Sequence, residues 1–219
     1  MLHNLVRDRI TYFKVSKSQL YWLFLCIKVC DIIFMLEGEN MKNIFIGGVA
    51  KSGKSRLATS LCKKYNMNHI PIDYFASSFK HNFPNIGITS NVIINEESSR
   101  LLSIFLSRFI EIVDSKDDEF FVLDSAHILP QDIIKYLNSD KWDIYYIGYP
   151  NIKPEDKIQE VKKYTKGGWI NKRSNEELLE IFDKLIILSG DIKKTCELNN
   201  IKFFDTSNDD ILNVFNVKL

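Results

Sequence analysis

Cysteine is scarce and scattered. The four in the chain, Cys26, Cys30, Cys62 and Cys196, form no C-x-x-C pair, and no His and Cys group has the spacing of a zinc site. The pattern offers neither a disulfide framework nor a structural metal, and the thiols read as reduced, buried groups of a cytosolic protein. Excess charge is also absent. Against 29 Lys and Arg stand 28 Asp and Glu, a net charge of +1, so bulk charge gives no basis for holding nucleic acid or an acidic membrane. Internal repeats and low-complexity tracts are missing too. At 219 residues the chain is long enough for one ordinary domain that buries its own core.

A long apolar run is lacking as well, although residues 19–36, QLYWLFLCIKVCDIIFML, come near to one. Lys28 and Asp31 interrupt it, each costly at a bilayer centre. The uncharged stretch from Leu20 to Ile27 is far short of a span. A complete first strand begins just after Met41, and the codons open to Glu37-Gly38-Glu39 include a purine-rich run like a ribosome-binding site. Residues 1–40 are therefore expected to be an apolar N-terminal extension outside the native domain, which then spans 41–219. A membrane or docking helix is the alternative.

What the chain does have begins at residue 43. Asn43 to Ile46 is a short β-branched and aromatic run that predicts a buried strand. Gly48-Val49-Ala50-Lys51-Ser52-Gly53-Lys54-Ser55 follows and fits G-x-x-x-x-G-K-[ST] at every fixed position. Leu57, Ala58, Leu61, Cys62 and Tyr65 then fall on one helical face. Strand, loop and helix thus occur in the order a phosphate-binding loop requires. Its glycines let backbone N–H groups converge on phosphate oxygens, and the helix N-terminus adds partial positive charge. Lys54 is placed to reach the β- and γ-phosphates of ATP, and Ser55 to offer its hydroxyl to Mg²⁺.

Strand and helix patterns alternate from there on, which predicts an α/β fold with a parallel sheet. A strand around Ile70 to Ile72 is expected to end at Asp73, and one over residues 119–125 at Asp124. Helices are expected over 96–113, 130–139 and 153–164. A loop, TKGGWINKR (165–173), leads to a capping box at Ser174 and Glu177, and that helix is expected to stop near Ser189-Gly190 before another begins.

Ligands of open α/β sheets bind beyond the carboxyl ends of the strands, so Asp73, Asp124 and the loop are expected to face one crevice. Asp124 is the candidate Mg²⁺ ligand with Ser55. Asp73 is the candidate base for an acceptor hydroxyl, although an Asp at a strand end also serves as a turn or cap. Lys172 and Arg173 follow Gly167-Gly168 and read as a basic lid, with Arg173 placed to neutralise a transferring phosphoryl. A solvated basic loop is the plainer reading. Arg100 and Arg108 read as flanking the acceptor region or pairing with surface acids, and His127 as structural.

With these residues in hand the chain resembles the small P-loop kinases: nucleoside monophosphate kinases, uridine kinases and shikimate-kinase-like enzymes. The resemblance covers roughly residues 41–219 and rests on the loop at 48–55, Asp73, the strand ending at Asp124 and the late basic loop. It implies a three-layer P-loop NTPase fold with a five-stranded parallel sheet flanked by helices, ATP and Mg²⁺ as cofactors, a small-molecule acceptor and a closing lid. Two departures bear on the acceptor. The Gly-Phe-Pro-Arg of adenylate-kinase-like chains is absent from LDSAHILP (123–130), and IDYF (72–75) looks more like the acidic motif of uridine kinases. An acceptor phosphate needs positive charge and no base, whereas an acceptor hydroxyl needs a base. The expectation is transfer of the γ-phosphoryl of ATP to a hydroxyl. A nucleotide acceptor is the alternative, and an ATP-binding regulator acting through a partner is the reading from another class.

Overall fold

The computed structural model describes residues 41–116, 118–165 and 167–215. The apolar extension expected over residues 1–40 lies outside them. Met41 to Leu219 forms one compact unit.

Five strands make one parallel sheet: β1 (Asn43–Gly48), β2 (Asn68–Pro71), β3 (Phe121–Asp124), β4 (Trp142–Gly148) and β5 (Lys202–Asp205), in the order β2-β3-β1-β4-β5. The α-helices among the described residues are α1 (Lys54–Tyr65), α2 (Asp73–Asn82), α3 (Glu96–Asp114), α4 (Pro130–Ile133), α5 (Pro154–Tyr164), α6 (Asn175–Leu198) and α7 (Ile211–Val214). None of the described helices is long and apolar enough to cross a membrane.

The pleat sends successive side chains of β1 to opposite faces, and both faces are covered. Ile44 and Ile46 pack with Leu57 and Leu61 of α1 and Ile211 of α7 on one side. Phe45 packs with Leu123, Leu102 of α3 and Phe182 of α6 on the other. This is the three-layer arrangement expected of the P-loop fold. Burying an aliphatic side chain of this kind contributes about 1.5–3 kcal/mol, so the β-branched run over 43–46 does more than favour a strand locally.

Register is pinned by Asn43, whose side-chain oxygen accepts from Phe121 N at 2.8 Å. Ile46 then lies beside Asp124, and Asp124 beside Pro71. The carboxyl ends of β2 and β3 are thereby brought level, two residues short of the end of β1 at Gly48.

Three local expectations change. Asp73 does not end a strand: β2 stops at Pro71, Ile72 N bonds to Asp124 O at 2.9 Å, and Asp73 opens α2. The helix expected over 130–139 is short, with α4 passing into a 3-10 turn at Ile134–Tyr136. The break expected at Ser189-Gly190 is absent, and α6 runs unbroken to Leu198. Ser189 is fully buried and its hydroxyl accepts from Tyr149 N at 3.2 Å, while Ile192 and Cys196 continue the buried face beyond Gly190. Tertiary packing outweighs the roughly 1 kcal/mol helix penalty of one glycine. The capping box at Ser174 and Glu177 forms as expected, with both of its hydrogen bonds made.

Candidate active site

Residues 48–53 turn the chain from β1 into α1. Gly48 has φ +133°, and a Cβ there would lie 1.9 Å from the carbonyl oxygen of Ile147. Gly53, with φ +95°, precedes the first residue of α1. Lys51 between them holds φ +62°, which a non-glycine residue adopts only when its surroundings demand it. No side chain caps the N-terminus of α1, so its first N–H groups stay available to a ligand.

Two side chains bond to carbonyls of the loop, and a third backs one of them. Tyr149, fully buried after β4, donates its hydroxyl to Ala50 O at 2.7 Å. Lys54 donates to Val49 O at 2.6 Å. Burial lowers the pKa of the Lys54 ammonium, the carboxylates of Asp73 and Asp124 work against that, and Lys51 adds to it. Lys157, also buried, lies 4.4 Å from the Tyr149 ring centre and pairs with Glu160 at 2.8 Å. The hydroxyl of Ser52 is buried without a partner among the described residues. An orphaned donor, an uncapped helix start and a loop turned at Gly48 and Gly53 all fit a polyphosphate.

Asp124 is almost wholly buried. Its Oδ2 accepts from Ser55 Oγ at 2.6 Å, and its Oδ1 lies 2.6 Å from His69 Nε2. A carboxylate and a hydroxyl are hard oxygen donors, as Mg²⁺ prefers. That ion is commonly held by one or two protein groups together with phosphate oxygens and water.

Asp73 sits beside the tip of β3. Its Oδ1 accepts from Ala126 N at 2.8 Å and from Ser125 Oγ at 3.2 Å, while 37% of the side chain stays exposed. His127 Nε2 lies 4.0 Å from the same oxygen. Asp73 and Asp124 both lie near enough to Lys54 to act on its charge, while the cleft beside the loop is lined by neither.

Arg173 does not contact the acids. Its guanidinium lies 5.2 Å from the ring centre of Trp169, and Lys51 Nζ lies 5.9 Å from the same ring. Trp169 therefore links the basic loop to the phosphate loop, within a 3-10 turn that includes Lys172. Arg108 pairs with Glu111 on the exposed side of α3 at 2.7 Å, as a surface acid pairing predicts.

A cleft of about 190 Å³ opens beside the loop, lined by Ser52, Gly53, Arg56, Tyr164, Thr206 and Asp210 among others. Arg56 pairs with Asp210 across its edge. Sequence reasoning missed His69, Tyr149, Lys157 and Trp169. A lone His on a short strand and a Tyr after a strand carry no local signal of what they touch. The aromatic next to Gly167-Gly168, in a loop already marked as basic, was the one readable hint.

No protein-family model matches the chain, and no curated protein matches it. Several solved structures are similar to it. A shikimate kinase from Acinetobacter baumannii in complex with shikimate is 13% identical over 81% of this chain and 89% of its own, with a TM-score of 0.46. A gluconokinase from Sinorhizobium meliloti 1021 is 10% identical over 70% of this chain and 97% of its own, TM-score 0.41. A sugar kinase from Janibacter sp. HTCC2649 is 12% identical over 70% and 98%, TM-score 0.43. Likeness at this level carries no argument about activity, and the three-layer α/β P-loop fold stands on the strand order and the geometry of the loop.

Proposed function

We propose that the chain is an ATP-dependent phosphotransferase that moves the γ-phosphoryl group onto a hydroxyl of a small molecule. The observation that carries the reading is the division of labour between two carboxylates at the end of one strand, β3. Asp124 is buried and engaged on both oxygens, whereas Asp73 is anchored by Ala126 N and Ser125 Oγ yet remains over one third exposed.

In this reading the N–H groups of residues 48–55 and the Lys54 ammonium hold the triphosphate, and the cleft beside Arg56 and Tyr164 takes the nucleoside. Ser55 and Asp124 would hold Mg²⁺, which supplies charge neutralisation on the phosphate oxygens. Asp73 receives the proton of the acceptor hydroxyl as its oxygen bonds to phosphorus. Such a positioned base contributes about 10²- to 10⁴-fold. Arg173 is the candidate counter-charge on closure, released from Trp169. The absence of Arg from residues 123–130 favours an alcohol over a phosphate acceptor.

Calorimetry with ATP and Mg²⁺ tests the donor side: binding by the wild type and its loss in Lys54→Ala are expected. Phosphorus NMR of ATP with pools of nucleosides, nucleotides, sugars and vitamins tests the acceptor side. A nucleoside monophosphate as sole productive acceptor would replace the hydroxyl reading. Turnover stimulated only by a macromolecule would replace the kinase reading with a regulatory one.

A further inference from the structure

His127 lies three residues past Asp124, on the connection from β3 to α4. Its side chain is 11% exposed, and its Nε2 lies 4.0 Å from Asp73 Oδ1. That separation is beyond an N–H···O hydrogen bond, for which about 2.7–3.2 Å is the rule. Among the described residues no group hydrogen-bonds the ring, and only the backbone N of His127 is engaged, by Ser125 Oγ at 3.0 Å. A ring nitrogen without a hydrogen-bond partner among these residues thus lies 4.0 Å from a carboxylate oxygen that already accepts from Ala126 N and Ser125 Oγ. One oxygen atom about 2.9 Å from each would bridge them, the two hydrogen bonds meeting at roughly a right angle.

The chemistry of the two flanking groups restricts what that atom is. An ionised carboxylate only accepts, and an imidazole N–H only donates. Burial lowers the pKa of the His127 ring, Lys54 and Lys80 press in the same direction, and Asp73 opposes them. The ring is thus neutral near pH 7, and the charge of Asp73 favours the tautomer with its proton on Nε2, the nearer nitrogen. A group between the two must donate to one and accept from the other. A hydroxyl does both. A phosphate dianion has no proton to give, and an ammonium has no lone pair.

We propose that Asp73 and His127 clamp a single hydroxyl oxygen of the phosphoryl acceptor, which makes His127 an acceptor-binding catalytic residue and restricts the acceptor to an alcohol. The proposal rests on the phosphotransferase reading and deepens it. In the transfer step a lone pair of the clamped oxygen forms the new bond to the γ-phosphorus. The bond from that phosphorus to the bridging oxygen breaks, and its electrons leave with the nucleoside diphosphate. The hydroxyl proton passes to Asp73. As it leaves, the His127 N–H stabilises the negative charge growing on the same oxygen, an effect available only from a donor already in place.

Water is the smallest hydroxyl probe, so slow ATP hydrolysis by the full chain tests the clamp without a known acceptor. Wild type, Asp73→Asn, His127→Ala and the double variant form a cycle, with Lys54→Ala as the control for the site. Losses of roughly 100-fold for Asp73→Asn and tenfold or more for His127→Ala are expected. The double variant should be no slower than the slower single one, because both act on one oxygen. His127→Gln, which keeps a donor, should recover part of the loss and guards against misfolding of the alanine variant. Multiplicative losses, or wild-type rates in both single variants, overturn the clamp. Hydrolysis unchanged in Lys54→Ala overturns the phosphotransferase reading instead. Nitrogen NMR of the imidazole needs no turnover: a neutral ring with its proton on Nε2 is expected, and a proton on Nδ1 overturns the clamp whatever the rates.

Discussion

His69 Nε2 lies 2.6 Å from Asp124 Oδ1, on the opposite side of the carboxylate from Ser55. The contact crosses from β2 to β3 and fixes the plane of the carboxylate. Groups that orient a ligand from behind commonly govern metal affinity by about 10- to 100-fold. His69→Ala is therefore expected to weaken Mg²⁺-dependent ATP binding by about that factor, and Asp124→Asn by at least as much. Titrating Mg²⁺ at fixed ATP in a calorimeter measures both. Wild-type Mg²⁺ dependence in His69→Ala would remove the orienting role.

Gly48→Ala places a methyl group where the Ile147 carbonyl oxygen already lies, at φ +133°. The obstruction is backbone of the neighbouring strand β4, so it cannot rotate aside. Strain of this type costs about 1–3 kcal/mol for the dihedral alone, and the overlap adds to it. The variant should unfold at lower denaturant and lose ATP binding. A Gly48→Ala protein as stable as the wild type would mean that the loop has another conformation open to it.

How far these relationships were legible in the sequence depends on their range. The phosphate loop was readable because its chemistry constrains neighbouring residues: glycines where φ is positive, then Lys54 and Ser55 at the start of a helix. Alternation gave the sheet because every strand here is parallel and must be followed by a crossover. Asp73 and Asp124 were found as acids near strand ends, although Asp73 proved to open a helix. Contacts set by register were not readable. His69 meets Asp124 across 55 positions and Tyr149 meets Ala50 across 99, and no local pattern encodes either. His127 read as structural because one histidine after a strand carries no sign of the carboxylate it faces. Gly190 misled because the apolar face buried by α6 continues on both sides of it.

Acid should destabilise the protein through His127. Burial, with Lys54 and Lys80 nearby, holds the folded-state pKa below the ordinary imidazole value of about 6.5, despite Asp73. Above that value neither state binds the proton. As pH falls below it, the unfolded chain takes up a proton that the folded chain refuses, so stability declines. The decline ends once pH passes the folded-state pKa. The slope from one such group is at most about 1.4 kcal/mol per pH unit. Urea unfolding between pH 7.5 and 5.5 should show this fall in the wild type and a shallower one in His127→Gln. Parallel curves would mean that His127 is protonated equally in both states.

Trp169 should report the state of the site. Its ring carries Arg173 at 5.2 Å and Lys51 of the phosphate loop at 5.9 Å, and packs against Phe182 of α6 with ring centres 6.0 Å apart. Cations over an indole face are held by about 0.5–1 kcal/mol at exposed sites, weakly enough for a polyphosphate to compete for them. On the proposed reading Lys51 belongs to the loop that holds the phosphates, so a bound triphosphate would draw its ammonium from the ring. Arg173 is free to follow, since no carboxylate among the described residues pairs with it. Tryptophan emission should therefore change on adding Mg²⁺ and ATP, and less on adding ADP. Trp142 is buried against Asp114 at the far end of β4, so it should not respond. Trp169→Phe should abolish the change while leaving ATP affinity within about threefold, the scale of one weak cation–π contact. On the proposed reading Arg173 acts only on closure, so Arg173→Ala should leave ATP binding nearly intact and slow phosphoryl transfer. A signal that survives in Trp169→Phe would place the responding residue elsewhere. An Arg173→Ala protein with full turnover would return that loop to a solvated basic segment and remove Arg173 from the chemistry.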